Sequence, residues 1–512
     1  MPSHFRPRRP APSLTAPAGA ARVAHDSDHW DYSCRCAARS TGIALALALA
    51  ATPTTAQRAP EPTPYARAIA AGYKALTYCN GIFVSGRTPA QIDADELHGI
   101  YPEYDAIVPI LTAEVSNKRY VSVSFEVGMA PRTAVFRLGN GCQLLPIGAE
   151  RPEDRRDLPL PAISQADPRP WPIGDARTDL HSSPGMADAV GRAFEGGYGH
   201  GARTTGIVVL HAGEIVAERY APGWGPFTAN RTWSVGKSIA GTILGVTDAP
   251  VRHSNYDDLA VVHGPRPRPG YSYRSRMYSA APIPEWKTPG DPRASITLDD
   301  LLRMASGLRS DTAGNRTDYI YFGGGSVMQD ATNWPLEAKP GQRFRYANND
   351  ILLAVRSLRA TLGEQRYRDF PRTALFVPLG MTHTQAGQDW QGNYVLSSQV
   401  WSTARDLARL GKFWLQDGMW QGKRLLPDGW MRYMTTPSGP QPADGPGYGA
   451  TMWLFGPAQG LPAGSYAAQG NRGQYVMVIP SAKLVIVRRG EDPGDARFDI
   501  ARFVADVLAA TR

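Results

Sequence analysis

Trp233-Ser234-Val235-Gly236-Lys237-Ser238-Ile239 follows a polar turn and opens an apolar run that reaches Val246. That pattern predicts a helix with Ser234 at its N-terminus and Lys237 one turn along on the same face. A serine hydroxyl is a weak nucleophile near neutral pH. An amine three residues on can accept its proton, and the free N–H groups of a helix's first turn favour the anion that forms on an attacked carbonyl. The chain contains no other Ser-x-x-Lys, although taken alone the pattern also fits a surface serine and lysine near a helix start.

Two later stretches fit the same chemistry. Arg345-Tyr346-Ala347-Asn348-Asn349-Asp350 lies behind the turn Lys339-Pro340-Gly341 and ahead of a helical run from Ile351 to Leu358, which puts Tyr-x-Asn on a loop. Ala467-Ala468-Gln469-Gly470-Asn471-Arg472-Gly473-Gln474 leads into Tyr475–Pro480 and Leu484–Val487, a predicted strand hairpin before a helix over Phe498–Leu508. A second Tyr-x-Asn, Tyr78-Cys79-Asn80, precedes Ser234 and is set aside.

In this order the three motifs resemble the penicillin-recognising serine hydrolases, specifically the class C β-lactamase and 6-aminohexanoate-dimer-hydrolase-like branch. The stretches Ile296–Leu308, Pro378-Leu379-Gly380-Met381 and Ser402–Arg409 are similar to that family's signatures. The resemblance covers residues 175–512 and implies an α/β (α+β) fold of the β-lactamase/transpeptidase type. An antiparallel sheet flanked by helices would come from 175–245 and 395–512, a mainly helical part from 246–394, and the active site from the cleft between them.

The resemblance implies Ser234 as the acylated nucleophile, Lys237 as its activating amine, Tyr346 as proton carrier to the leaving group, and Asn348 as the group orienting Lys237 and the substrate carbonyl. Gly470, Asn471, Arg472 and Gln474 fall on the oxyanion and substrate-binding side, with the backbone amides of Ser234 and Asn471 as oxyanion donors. Trp453, which follows Gly447-Tyr448-Gly449, is the tryptophan expected to face the cleft, and Trp401, Trp414, Trp420 and Trp430 are read as packing. Where penicillin-processing members carry Lys-Thr-Gly this chain has Ala468-Gln469-Gly470, and the histidine that esterase-like relatives place near Asn471 is missing. Arg472 keeps two readings, a guanidinium that holds a substrate carboxylate or a solvent-facing turn residue.

The implied activity is hydrolysis of an amide or ester, on a small molecule or short peptide, with no metal and no organic cofactor. A D-amino-acid peptidase acting on peptidoglycan and a catalytically silent receptor for cell-wall peptide or a β-lactam are the alternatives. Other enzyme classes lack their residues. No Gly-x-Ser-x-Gly elbow occurs, and the last histidine is His383. No His-Glu-x-x-His or Cys-x-x-Cys offers metal-ligand spacing. Gly323-Gly324-Gly325 lacks a following Lys-Ser/Thr and is expected as a flexible loop at the cleft rim, and the Arg- and Pro-rich stretch 265–276 as a solvated insertion.

With 512 residues, 42% of them hydrophobic, the chain can bury a large core. Six arginines and three aspartates in the first 56 residues carry +3 of the net +9, so the remaining +6 is spread thinly and no nucleic-acid footprint results. The apolar run Gly42–Ala51, flanked by Arg35 and Arg39 and followed by Thr54-Thr55-Ala56, is too short to span a bilayer. It reads as a secretory signal cleaved near Ala56, with a true start downstream of Met1, or else as a buried helix. Export puts the mature chain in the periplasm or outside the cell, with no transmembrane span.

Cleavage would remove Cys34 and Cys36 and leave Cys79 and Cys142, expected as a bridge in an oxidising compartment, with two buried thiols as the alternative. Residues 57–165 are expected to form a small N-terminal α+β domain, with a helix over Tyr65–Leu76 and a hairpin from Arg119–Val127 and Thr133–Leu138, ended by the proline-rich stretch up to Pro172. No activity is assigned to it, and nothing in the sequence specifies an oligomeric state.

Overall fold

The helix expected over 65–76 runs from Pro64 to Phe83 in the computed structural model, which describes residues 61–116, 119–149, 166–176, 182–247, 273–309 and 317–511. Thr63 starts it by accepting from the Ala66 N–H at 3.1 Å, with Pro64 in the first turn, where its missing N–H costs nothing. Against this helix lie four antiparallel strands in chain order, β1 (Ala113–Ser116), β2 (Tyr120–Val123), β3 (Arg132–Arg137) and β4 (Gly141–Leu144). Cys79 on the helix is bridged to Cys142 on β4 with their Cα atoms 6.0 Å apart. The expected leader over 1–56, with Cys34 and Cys36, lies outside the described residues, as does most of the stretch 265–276.

Arg58–Arg512 forms one compact unit, and the buried side chains of the Pro64–Phe83 helix belong to the same hydrophobic cluster as those of the Val235–Thr247 helix. Gly323–Gly325 belongs to this packing. The expectation of a flexible rim loop is corrected here: all three glycines are buried, and Gly324 (φ +69°) turns back onto the Leu145 carbonyl, where a side chain has no room.

The remaining strands are β5 (Thr204–His211), β6 (Glu214–Tyr220), β7 (Asn230–Arg231), β8 (Gln385–Ala386), β9 (Val400–Ser402), the hairpin β10 (Met419–Trp420) and β11 (Lys423–Arg424), then β12 (Gly447–Tyr448), β13 (Trp453–Phe455), β14 (Ser465–Gly470), β15 (Gln474–Ile479) and β16 (Leu484–Gly490). The main sheet is antiparallel in the order β12-β13-β14-β15-β16-β5-β6, so the end of the chain pairs with its earlier part where β16 meets β5. A small sheet, β7-β9-β8, lies beside the nucleophile segment.

The continuous apolar runs in the central strands follow from burial on both faces. Ile207, Val209, Met477, Ile479, Leu484 and Ile486 pack on the helices Pro184–Phe194 and Ile500–Ala510. The alternate residues Val208, Leu210, Val476, Val478, Val485 and Val487 pack on the opposite face with the helices Val235–Thr247 and Ala404–Leu415. Each such side chain contributes about 1.5–3 kcal/mol by leaving water, which makes this sheet the scaffold on which the site is mounted.

Between residues 273 and 379 the described regular elements are helical. Trp401, Trp414, Trp420 and Trp430 are buried in packing roles. Among the described residues no helix is long and apolar enough to cross a membrane.

Candidate active site

Ser234 directly precedes the Val235–Thr247 helix, and the Lys237 N–H donates to its carbonyl at 3.0 Å, so the first turn brings both side chains to one face. Lys237 is only 1% exposed. Its Nζ lies 2.9 Å from Ser234 Oγ, 2.6 Å from Asn348 Oδ1 and 2.9 Å from the Ser397 carbonyl. Two of these oxygens can only accept. A neutral amine has two N–H donors and one lone pair, so donation to Asn348 and Ser397 leaves the lone pair for the Ser234 hydroxyl. Burial, with Arg231 nearby, lowers the Lys237 ammonium to about 7 and makes that neutral form available near neutral pH.

Tyr346 reaches the same place from the inserted part. The helix expected from Ile351 begins earlier, at Asn348, so Asn348 occupies its first turn and Tyr346 the approach to it. The signature stretch around Met304 holds that approach in place. Arg345 N–H donates to the Met304 carbonyl at 2.8 Å, and Ser306 Oγ donates to the buried Asp350 at 2.7 Å. Burial raises the Tyr346 phenol above the usual range, with Ser234 drawing it only partway back, so it keeps its proton. Its ring lies 4.8 Å from Lys237 Nζ and 5.4 Å from the half-buried Trp453 ring, with Tyr448 against both aromatic rings. Trp453 thus stands beside Tyr346.

The third motif divides. Strand β14 ends at Gly470, where a Cβ would lie 3.0 Å from the Ser234 backbone N and nearer still to the Thr232 carbonyl. Only glycine lets the strand end close on the nucleophile turn. Asn471 follows, exposed, its side-chain oxygen accepting from the Arg472 N–H at 2.9 Å.

Arg472 corrects both of its readings. It occupies the turn in the left-handed region (φ +57°), but it is neither solvent-facing nor directed at a ligand. It is 6% exposed, its guanidinium is paired with Glu491, and it donates to the Glu491 and Asp492 carbonyls. Gln474 is also turned inward. Its amide donates to the Arg472 carbonyl at 3.2 Å and to the Gly490 carbonyl, and its oxygen accepts from Arg489 Nε at 2.7 Å. The solvent-facing reading rests on the place of Arg472 at the hairpin tip, whereas Glu491, distant in sequence, is brought to the turn by the return of β16.

Several residues escaped the sequence reading. Ser397 supplies the second acceptor for Lys237, and its own hydroxyl lies 2.5 Å from Tyr321 OH. A backbone carbonyl leaves no mark in a sequence. Arg231 places its guanidinium 3.8 Å above the Trp233 ring and donates to Ser398 Oγ at 2.7 Å. It thereby ties the residue before Ser234 to the residue after Ser397. Trp233 itself has φ +51°, a conformation that costs a non-glycine residue about 1–3 kcal/mol and persists where the surroundings enforce it.

Comparison with known proteins identifies the family. The sequence profile of the Beta-lactamase family matches residues 184–510, from the first helix over the main sheet to the last. The chain is 25% identical over 322 residues to the 6-aminohexanoate-dimer hydrolase of Paenarthrobacter ureafaciens, covering 57% of this chain and 73% of that protein. Among solved structures, a family VIII carboxylesterase shares the fold with a TM-score of 0.50 at 16% identity, over 65% of this chain and 98% of that one. A penicillin-binding protein homologue from Caulobacter crescentus superimposes with a TM-score of 0.47 at 16% identity, over 65% and 99% of the two chains. With the profile spanning well over half of its length, the chain belongs to the beta-lactamase family of serine hydrolases.

Proposed function

We propose that the protein is an exported hydrolase that cleaves an amide or ester through an acyl-enzyme on Ser234. The observation that carries this reading is Lys237 Nζ, buried and held by two acceptor-only oxygens so that its lone pair meets the Ser234 hydroxyl. In acylation the proton of Ser234 passes to Lys237 as Oγ bonds to the substrate carbonyl carbon, and the oxyanion is received by the backbone amides of Ser234 and Asn471. Collapse breaks the bond to the amine or alkoxide, which takes a proton from the Tyr346 hydroxyl, itself replenished from Lys237. Water then attacks the ester, with the proton moving along the same groups in reverse.

Export is supported by the apolar run before Ala56 and by the Cys79–Cys142 bridge, which suits an oxidising compartment. The substrate class follows from what the site offers beside Ser234. Alanine, glutamine and glycine stand where a lysine and a threonine would grip a carboxylate, and Arg472 is paired with Glu491 instead. Neutral esters and linear amides fit, in keeping with the names of the hydrolase and carboxylesterase to which the chain is similar.

Screening the mature chain against short-chain esters, linear amides, D-Ala-D-Ala peptides and nitrocefin tests this directly. Turnover of esters or amides is the expected result. Preferential cleavage of D-Ala-D-Ala peptides would transfer the protein to peptidoglycan, and acylation without turnover of any of them would make it a receptor.

A further inference from the structure

Glu491 is buried, 2% exposed, at the end of β16 and has no part in the proton transfers above. Its two carboxylate oxygens face different segments. Oε1 accepts from Asn230 Nδ2 at 3.1 Å, and Oε2 is paired with the Arg472 guanidinium. Asn230 lies on β7, which leads into Ser234, and Arg472 directly follows Asn471. One carboxylate therefore joins the two backbone segments that carry the amides of Ser234 and Asn471.

The geometry points to Glu491 as a positioning residue that sets the spacing of the two oxyanion donors; this rests on the Ser234 acyl-enzyme reading. Both segments need such a hold, because each contains a non-glycine residue in the left-handed region, Trp233 on one side and Arg472 on the other. Neighbouring contacts brace the same joint. Arg489 donates to the Asn230 carbonyl at 2.9 Å and to the Arg231 carbonyl at 3.1 Å, and its Nε donates to Gln474 at 2.7 Å.

The N-terminal segment covers the joint from the other side. Glu96 is buried close enough to Glu491 and Arg472 to feel both charges, and it is itself bound by Arg87 Nη1 at 2.6 Å. Arg87 is the cation that pairs this second carboxylate, and it is shared with Asp95. A displacement of oxyanion donors by a fraction of an ångström is enough to slow the chemistry while leaving substrate binding nearly intact.

The test uses the full chain with a neutral ester as substrate and a boronic acid as mimic of the tetrahedral intermediate. Glu491→Gln is expected to lower kcat about 30- to 100-fold with KM within about twofold, and to weaken boronate binding by a similar factor. Glu491→Asp, which keeps the charge, is expected to recover part of both losses. Where Glu491→Gln does not fold, Arg472→Gln carries the same measurements with the same expected split between kcat and KM. A folded variant with unchanged kcat and boronate affinity but a lowered melting temperature would overturn the proposal and leave Glu491 a structural residue. Failure of the wild type to form a Ser234 adduct would instead remove the acyl-enzyme reading itself.

Discussion

Lys237 ties the rate of the proposed reaction to pH. It acts as a base only when neutral, and burial beside Arg231 brings its ammonium down to about 7. The value of kcat/KM for a neutral ester should therefore rise with pH through about 7 and level off above it, the direction expected when a lysine must lose its proton. The Tyr346 ring lies against it, and the Arg231 guanidinium is the charge that helps push it down, so Arg231→Gln should move the limb to higher pH. A flat profile between about pH 5 and 9 would contradict this assignment of the base. Tyr346→Phe deletes a proton carrier and little surface, so kcat should fall by at least about 100-fold while KM changes far less, as initial-rate kinetics on the ester would show. At this scale the sequence was readable where chemistry is local: Ser234 and Lys237 share a helical turn, and Tyr346 and Asn348 lie two residues apart where a helix begins. Arg472 was misread because its partner, Glu491, arrives through a strand return that no short motif records.

Among the elements, β14 bears on the proposed substrate class. A lysine ammonium and a threonine hydroxyl beside the nucleophile would each give a charge-assisted hydrogen bond of about 1.5–3 kcal/mol to a β-lactam carboxylate. Ala468 is buried and apolar, Gln469 is uncharged, and Arg472 is held by Glu491. Nitrocefin should accordingly be hydrolysed with a kcat/KM about 10- to 1000-fold below that of a neutral ester. Comparable efficiency on both would mean that another group binds the carboxylate. The elements themselves were legible where burial leaves a periodic trace. The strands β15 and β16 read as apolar runs because both faces are covered, and the helix at Ser234 read from its polar start. Gly323–Gly325 was not legible, since three glycines look the same in a mobile loop and in a backbone packed against the Leu145 carbonyl.

For the whole molecule, the Cys79–Cys142 bridge fastens the first helix to its sheet across 63 residues. Closing a loop of that length stabilises the fold by about 4 kcal/mol in the chain-entropy model, so the paired substitution Cys79→Ser with Cys142→Ser should lower the urea midpoint by a corresponding amount. An unchanged midpoint would show that the bridge adds nothing to packing already in place. The pairing was readable from cysteine number once the leader was set aside, whereas the way residues 61–149 share a core with the nucleophile helix was not, because those contacts join segments distant in sequence. Acylation of Ser234 can be read by peptide mass spectrometry after treatment with a fluorophosphonate. A single adduct is expected on the peptide containing Ser234, matched by loss of ester turnover, with neither label nor turnover in Ser234→Ala. Turnover that survives in Ser234→Ala, or a label on another residue that accompanies loss of activity, would contradict it.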